Sequence, residues 1–178
     1  MKNIKILITI ILILPTMLKA EFACDEAEEY LVEAYYSNSH HEAKALLQQA
    51  LKLCPESPQA HNSLGVRLEK EQQYNQALYH YQQALKLKPD YIQAWLGLGD
   101  VYYKQGQLPL SLESYLEICN QHNKASKRVA ELLQDNRYRI PEGKTVIKAD
   151  SLTLLFNQQR LDKLYQKATQ CHDEEINP

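Results

Sequence analysis

Apolar residues fall into three regimes along this chain. From Ile6 to Leu14 they are nearly continuous, preceded by Lys2 and Lys5 and followed by Pro15, Leu18, Lys19 and Ala20. That order of a basic start, an apolar stretch and a small residue is the layout of a secretory signal peptide, with cleavage expected after Ala20. The run is too short for a spanning helix, which needs ~20 apolar residues. Lipidation of Cys24 is the alternative, but Glu21, Phe22 and Ala23 do not form the approach that a lipid-attachment site requires. Further along, apolar and small residues recur at helical spacing, as in Leu64 and Leu68, then Ala77, Leu78, Tyr81, Ala84 and Leu85, and the pattern predicts successive helices. Pro55, Pro58 and Pro89 stand where one helix should stop and the next begin, because proline is tolerated only in a helix's first turn. Ala125, Val129, Leu132 and Leu133 predict one more amphipathic helix, ending near Asp135 and Asn136. A polar connector over 137–150 then contains Pro141 and Gly143, with Thr145, Val146 and Ile147 as a short extended piece. Ser151 is placed to cap a last helix with the stripe Leu152, Leu155, Leu161, Leu164, Tyr165 and Ala168.

The helical pattern repeats. Ala43, Ala77 and Ser111 are 34 residues apart, as are Leu47, Tyr81 and Tyr115, then Ala50, Ala84 and Ile118, and Pro55 recurs as Pro89. Counted from Pro58, the second unit places Leu64 and Gly65, Leu68, Ala77, Tyr81, Ala84 and Pro89 in order; the third, from Ile92, supplies Trp95, Leu98, Gly99, Tyr102, Gly106, Ser111 and Tyr115. In these positions the chain resembles the tetratricopeptide repeat family, whose period is 34 residues. The first unit, from Cys24, departs from the family at its Leu-Gly pair, which reads Tyr30-Leu31. The resemblance implies an all-α fold: a right-handed superhelical array of about three helix hairpins, at 24–57, 58–91 and 92–123 within a 21–123 domain. Residues 124–178 would then form a helical cap over the array's apolar end.

The resemblance also implies a concave groove, lined by the first helix of each unit, that receives a protein or peptide segment. Its positions fall on Glu28, Val32 and Tyr35, on Gln59, Asn62, Val66 and Glu69, and on Gln93, Leu96, Asp100 and Tyr103. They read as polar to acidic with aromatic ends, which favours a basic or neutral segment. The family's Lys and Asn clamp for a terminal carboxylate is missing, its places being held by Glu28, Val32, Ser63, Gln93 and Gly97.

Composition changes this picture little. The 20 basic and 22 acidic side chains nearly cancel, and loss of Lys2, Lys5 and Lys19 with the leader leaves 17 against 22, a net charge of −5. No broad positive field exists for nucleic acid. Export gives the four cysteines a use as disulfides. In an antiparallel hairpin Cys24 and Cys54 occupy neighbouring ends, and Cys119 would join Cys171 to hold the cap; four cysteines allow three pairings, of which geometry favours this one. Zinc is disfavoured, since no Cys-x-x-Cys pair occurs. Adjacent His40 and His41 fall in the turn of the first hairpin, and the other histidines are scattered. Asp25, Glu26, Glu28 and Glu29 suit a helix N-terminus rather than acid–base chemistry. With five glycines and neither a phosphate loop nor a nucleophile elbow, the expectation is a protein that is not an enzyme, binds no cofactor and carries no metal. The segment 124–148 is basic through Lys124, Lys127, Arg128, Arg137, Arg139, Lys144 and Lys148, and could face an anionic partner. The expected function is a scaffold or interaction module of the cell envelope, periplasmic or otherwise secreted. The alternative is a structural or accessory subunit that holds an envelope enzyme or assembly complex, with the basic 124–148 segment on an anionic partner.

Overall fold

The computed structural model describes residues 22–134, 138–139, 146–147, 167–168 and 171. The expected leader, most of the 137–150 connector and most of the last helix lie outside these. Helix α1 covers 22–36. It is followed by α2 (His40–Leu53), α3 (Pro58–Lys70), α4 (Tyr74–Leu87), α5 (Ile92–Lys104), α6 (Leu108–Leu116) and α7 (Asn123–Gln134). A two-residue antiparallel pair joins β1 (Tyr138–Arg139) to β2 (Val146–Ile147), with Tyr138 opposite Ile147. The chain divides into two compact units, Met1–Pro89 and Asp90–Pro178.

Local chemistry sets the helix boundaries. Ser39 caps α2 by accepting from the Glu42 amide at 3.3 Å, and Ser37 Oγ donates to the Glu42 carboxylate at 2.7 Å. His40 and His41 are therefore the opening residues of α2, not members of the turn before it. Ser57 does the same for α3 through the Ala60 amide, with Pro58 at the first helical position, where its missing N–H costs nothing. The C-terminus of α3 closes with the Gln73 amide on the Leu68 carbonyl and the Gln72 amide on Glu69. In α5 the Gln107 amide reaches Tyr102 and the Gly106 amide reaches Tyr103. Both are the left-handed cap in which the last carbonyls find donors beyond the helix end. Its left-handed residue is Gly106 at φ 71° in α5 but Gln72 at φ 59° in α3.

Within the α3–α4 hairpin, and again within α5–α6, one tyrosine fills a space that a glycine leaves. Tyr81 lies against Gly65 and Tyr115 against Gly99, so closely that a Cβ at Gly65 would sit 2.8 Å from the Tyr81 ring and one at Gly99 2.5 Å from Tyr115. Both tyrosines are fully buried, and each hydroxyl finds a carboxylate 2.7 Å away, Tyr81 on Glu69 and Tyr115 on Asp100. In the second unit Ser111 Oγ donates to the Gly99 carbonyl at 2.9 Å, tying the backbone of α5 to α6.

The first hairpin lacks the Gly–Tyr pair and is held differently. Ala27, Ala50, Cys54 and Ala60 form a small buried cluster with Tyr30, Leu31, Leu51 and Leu53 around it. Cys24 and Cys54 are bonded, with Cα atoms 4.8 Å apart. In the second unit α6 ends at Leu116, earlier than the repeat pattern implies. Ile118 then bonds back to Tyr115 and Gln121 to Ile118 in tight three-residue turns. Cys119 consequently lies in a turn rather than in a helix, and is bonded to Cys171 with Cα atoms 5.7 Å apart. Around that bond Leu112, Leu116, Ile118, Ala125, Val129, Leu132 and Ala168 make one apolar core. Lys167 reaches the Glu117 carboxylate at 2.5 Å on its rim.

Candidate partner-binding cleft

The first helices of the first two hairpins, α1 and α3, enclose a cleft of about 480 Å³ with Leu47 of α2 at its floor. From α1 it takes Leu31, Ala34 and Tyr35, and from α3 Asn62, Ser63, Val66, Arg67 and Lys70. Three of the expected groove residues, Tyr35, Asn62 and Val66, therefore share one cavity. Tyr35 is 78% exposed, so an aromatic ring of the lining stands uncovered; Val32, also exposed on α1, is outside the lining. Asn62 is the opposite case: it is 8% exposed, and its Oδ1 has no hydrogen-bond partner among the described residues. A buried amide oxygen left so costs about 1–3 kcal/mol of desolvation. It is an acceptor awaiting a donor, at the wall of a cavity large enough to admit one.

The charge of the cleft follows from which ions face it. Its lining contains Arg67 and Lys70 and no carboxylate. Arg67 is fixed in place, with Nη2 donating to the Ala34 carbonyl at 3.1 Å and Nη1 3.4 Å from His40 Nδ1, so the guanidinium bridges α1, α2 and α3. Glu69, counted into the groove by register, accepts from Tyr81. Glu71 pairs with Lys44 at 2.5 Å. Glu28 and Gln59 are exposed.

In the second unit the expected residues Gln93, Leu96, Asp100 and Tyr103 all stand on α5. Gln93 is exposed, and Leu96 packs against the apolar core around Cys119. Asp100 is saturated: it accepts from the Tyr115 hydroxyl and, through Oδ2, from Lys124 at 2.6 Å. Burial, reinforced by that Asp100 contact, raises the Tyr115 hydroxyl above the usual tyrosine range, so it stays a donor at any physiological pH. Tyr103 lies beneath Arg128, whose guanidinium carbon is 4.9 Å from the ring centroid and whose Nη1 donates to Glu131 at 2.7 Å. Two cations of the basic 124–148 segment, Lys124 and Arg128, thus have partners inside this unit.

One association is invisible to motif reading. His61 and His80, 19 residues apart, come together across the α3–α4 hairpin with Nδ1 3.0 Å from Nδ1. Only the hairpin register brings them together, since neither is near the other in sequence. Among the described residues no group of three His, Cys, Asp or Glu side chains is arranged to hold a metal ion. No helix there is long and apolar enough to cross a membrane.

A TPR-repeat family model matches residues 67–106, the stretch from α3 through the whole of α5. No curated protein sequence matches the chain significantly. Among solved structures, the translocator chaperone SycD of the Yersinia enterocolitica type III secretion system superposes with a TM-score of 0.58 at 15% identity, over 63% of this chain and 95% of that one. MamA superposes at 0.54 and 16% identity, over 90% of this chain and 82% of its own. The first TPR domain of Spaghetti (RPAP3), bound to the HSP90 peptide SRMEEVD, does so at 0.54 and 14%, over 67% of this chain and 94% of its own. At such identities the likeness is one of fold. Joined to the 34-residue recurrence, the sequence match places a tetratricopeptide-repeat segment at 67–106, within a helical-hairpin array of the same fold as these TPR proteins.

Proposed function

We propose that this protein is a non-catalytic interaction module of the exported compartment, and that the α1–α3 cleft receives an extended segment of a protein partner. The observation that carries the reading is Asn62: a buried acceptor without a donor among the described residues, set in a cavity whose lining includes the exposed Tyr35. A backbone N–H of a bound segment would supply that donor, and the Tyr35 ring would cover its side chains. Arg67 and Lys70 add positive charge to the lining, so the cleft itself suits a neutral or acidic segment, while the exposed Glu28 lies outside the lining. Two disulfides and the signal-like start support the exported setting. The solved structure of a protein of the same fold, the first TPR domain of Spaghetti, has a bound peptide, which supports the same use here.

The test places a photo-activatable phenylalanine at Tyr35, and separately at Tyr79, an exposed tyrosine of α4, in the full chain in its native cell. Adducts to one partner from position 35 but not from 79 are the expected result. Equal labelling from both would overturn the cleft as the site. Replacing Asn62→Leu should abolish the position-35 adduct while raising stability by about 1 kcal/mol, because an unpaired buried acceptor is removed at nearly constant shape. Asp100 is unsuited to such a test, since its carboxylate already holds Tyr115 and Lys124.

A further inference from the structure

The His61 and His80 rings have centroids 5.3 Å apart and planes tilted by 34°. Centroid spacing equals the 3.0 Å nitrogen separation extended by one ring radius at each end, so the two Nδ1 atoms meet head on. That is the geometry of a single N–H···N bond. A metal ion on the same line, ~2.0 Å from each nitrogen, would not fit between them.

The bonding around the pair assigns its hydrogens. His61 Nε2 is 3.1 Å from the Pro55 carbonyl oxygen, which can only accept, so Nε2 carries the hydrogen and Nδ1 the lone pair. His80 Nδ1 must then donate to His61, and His80 Nε2 is left as the basic nitrogen of the pair. One chain of bonds thus runs from α4 through α3 to the turn that follows α2. Among the described residues His61 responds to burial and to the Pro55 carbonyl, and His80 to burial and to His61, with no carboxylate or ammonium group among the causes. The Tyr79 ring stands edge-on to His80 at 5.2 Å. At the matching positions the other hairpins have Ala27 with Leu46 and Trp95 with Ser114, so the pair belongs to this hairpin alone.

We propose that the His61–His80 pair is an acid-sensitive latch on the α3–α4 hairpin, closed when both rings are neutral, tolerant of one proton and forced open by a second. One proton leaves an N–H···N bond in place, donated by whichever ring is the imidazolium. With a second, both Nδ1 atoms carry hydrogen, and two N–H groups face each other at a separation made for one. Burial holds both rings below the ordinary histidine range, His80 to about 4 with His61 adding to the effect. Depressed values mean that the fold favours the neutral rings, so the latch's contribution is full above about pH 6.5 and is lost as pH falls from there through the folded values. Asn62 and Ser63 follow His61 directly on α3 and line the cleft. Opening therefore loosens the cleft's α3 wall, a consequence that rests on the cleft being the binding site.

The experiment compares the full chain with the His61→Ala/His80→Leu variant, which installs the residues of the first hairpin. Thermal unfolding is followed at about pH 7.5 and about pH 4.5, on either side of the range in which histidine titrates. The natural protein should lose at least about 5 °C more in acid than the variant; equal losses overturn the latch. If the variant does not fold, imidazole nitrogen NMR of the natural protein decides. Hydrogen on His61 Nε2 and His80 Nδ1 at neutral pH is the expected pattern, and hydrogen on His61 Nδ1 would overturn it. Position-35 adducts that persist in acid, while exchange of the α3 amides speeds up, would sever the link to the cleft and leave the latch standing.

Discussion

At the scale of single residues, the two left-handed caps form a natural comparison. Gly106 and Gln72 occupy the same place in successive hairpins with nearly the same φ, yet only glycine takes that conformation without a Cβ penalty. Gln72→Gly should therefore stabilise the protein by about 1 kcal/mol, raising the midpoint of a urea melt. Gly106→Ala should lose a similar amount, although open space surrounds the new Cβ; strain, not crowding, is the cause. Gly65→Ala and Gly99→Ala fail for the other reason. Their Cβ atoms meet Tyr81 and Tyr115, fully buried rings whose hydroxyls are pinned to Glu69 and Asp100. Each should cost about 1–3 kcal/mol, with the larger loss at Gly99, where the approach is tighter. The 34-residue spacing makes the glycine–tyrosine pairs readable in sequence, because small and large residues alternate at fixed places. It does not reveal that Gln72 carries a positive φ, since nothing in a glutamine advertises strain.

At the scale of elements, α1 is the helix with the weakest claim to its place. Its Leu-Gly pair is replaced by Tyr30-Leu31, and Val32, Tyr35 and Tyr36 remain exposed on its surface. The Cys24–Cys54 bond compensates by tying the start of α1 to the end of α2 across 30 residues of chain. Loss of that bond in Cys24→Ala/Cys54→Ala should cost roughly 3–4 kcal/mol in the chain-entropy description. Amide exchange should accelerate first in 22–36; uniform acceleration across the first unit would show that α1 is not the element it restrains. Helix positions were legible because proline placement and apolar spacing agree with one another. The end of α6 was not: no proline or glycine marks Leu116, and the turn that carries Cys119 is drawn from backbone bonding within the second unit rather than from any local signal.

At the scale of the whole molecule, the sequence conveys a helical repeat array and three residues, Tyr35, Asn62 and Val66, that share one cavity, but not the charge of that cavity's lining. Counting ions along the register suggests an acidic surface. In the structure Asp100 and Glu69 are occupied by tyrosine hydroxyls, with Lys124 also on Asp100, while Arg67 and Lys70 line the cleft. Charge that is spent on internal bonds contributes little outward field, and a one-dimensional reading has no means of telling spent from unspent. The histidine pair is hidden for a related reason, since it exists only once α3 and α4 are folded against each other. Each compact unit contains one disulfide, Cys24–Cys54 in the first and Cys119–Cys171 in the second. Under tension these bonds act as mechanical shunts, carrying load past the chain between their ends, so that an oxidised molecule stretched from its termini has a much shorter extensible contour than its length implies. Reducing both should add roughly 290 Å to the fully unfolded extension in a single-molecule pulling trace, at about 3.5 Å for each released residue.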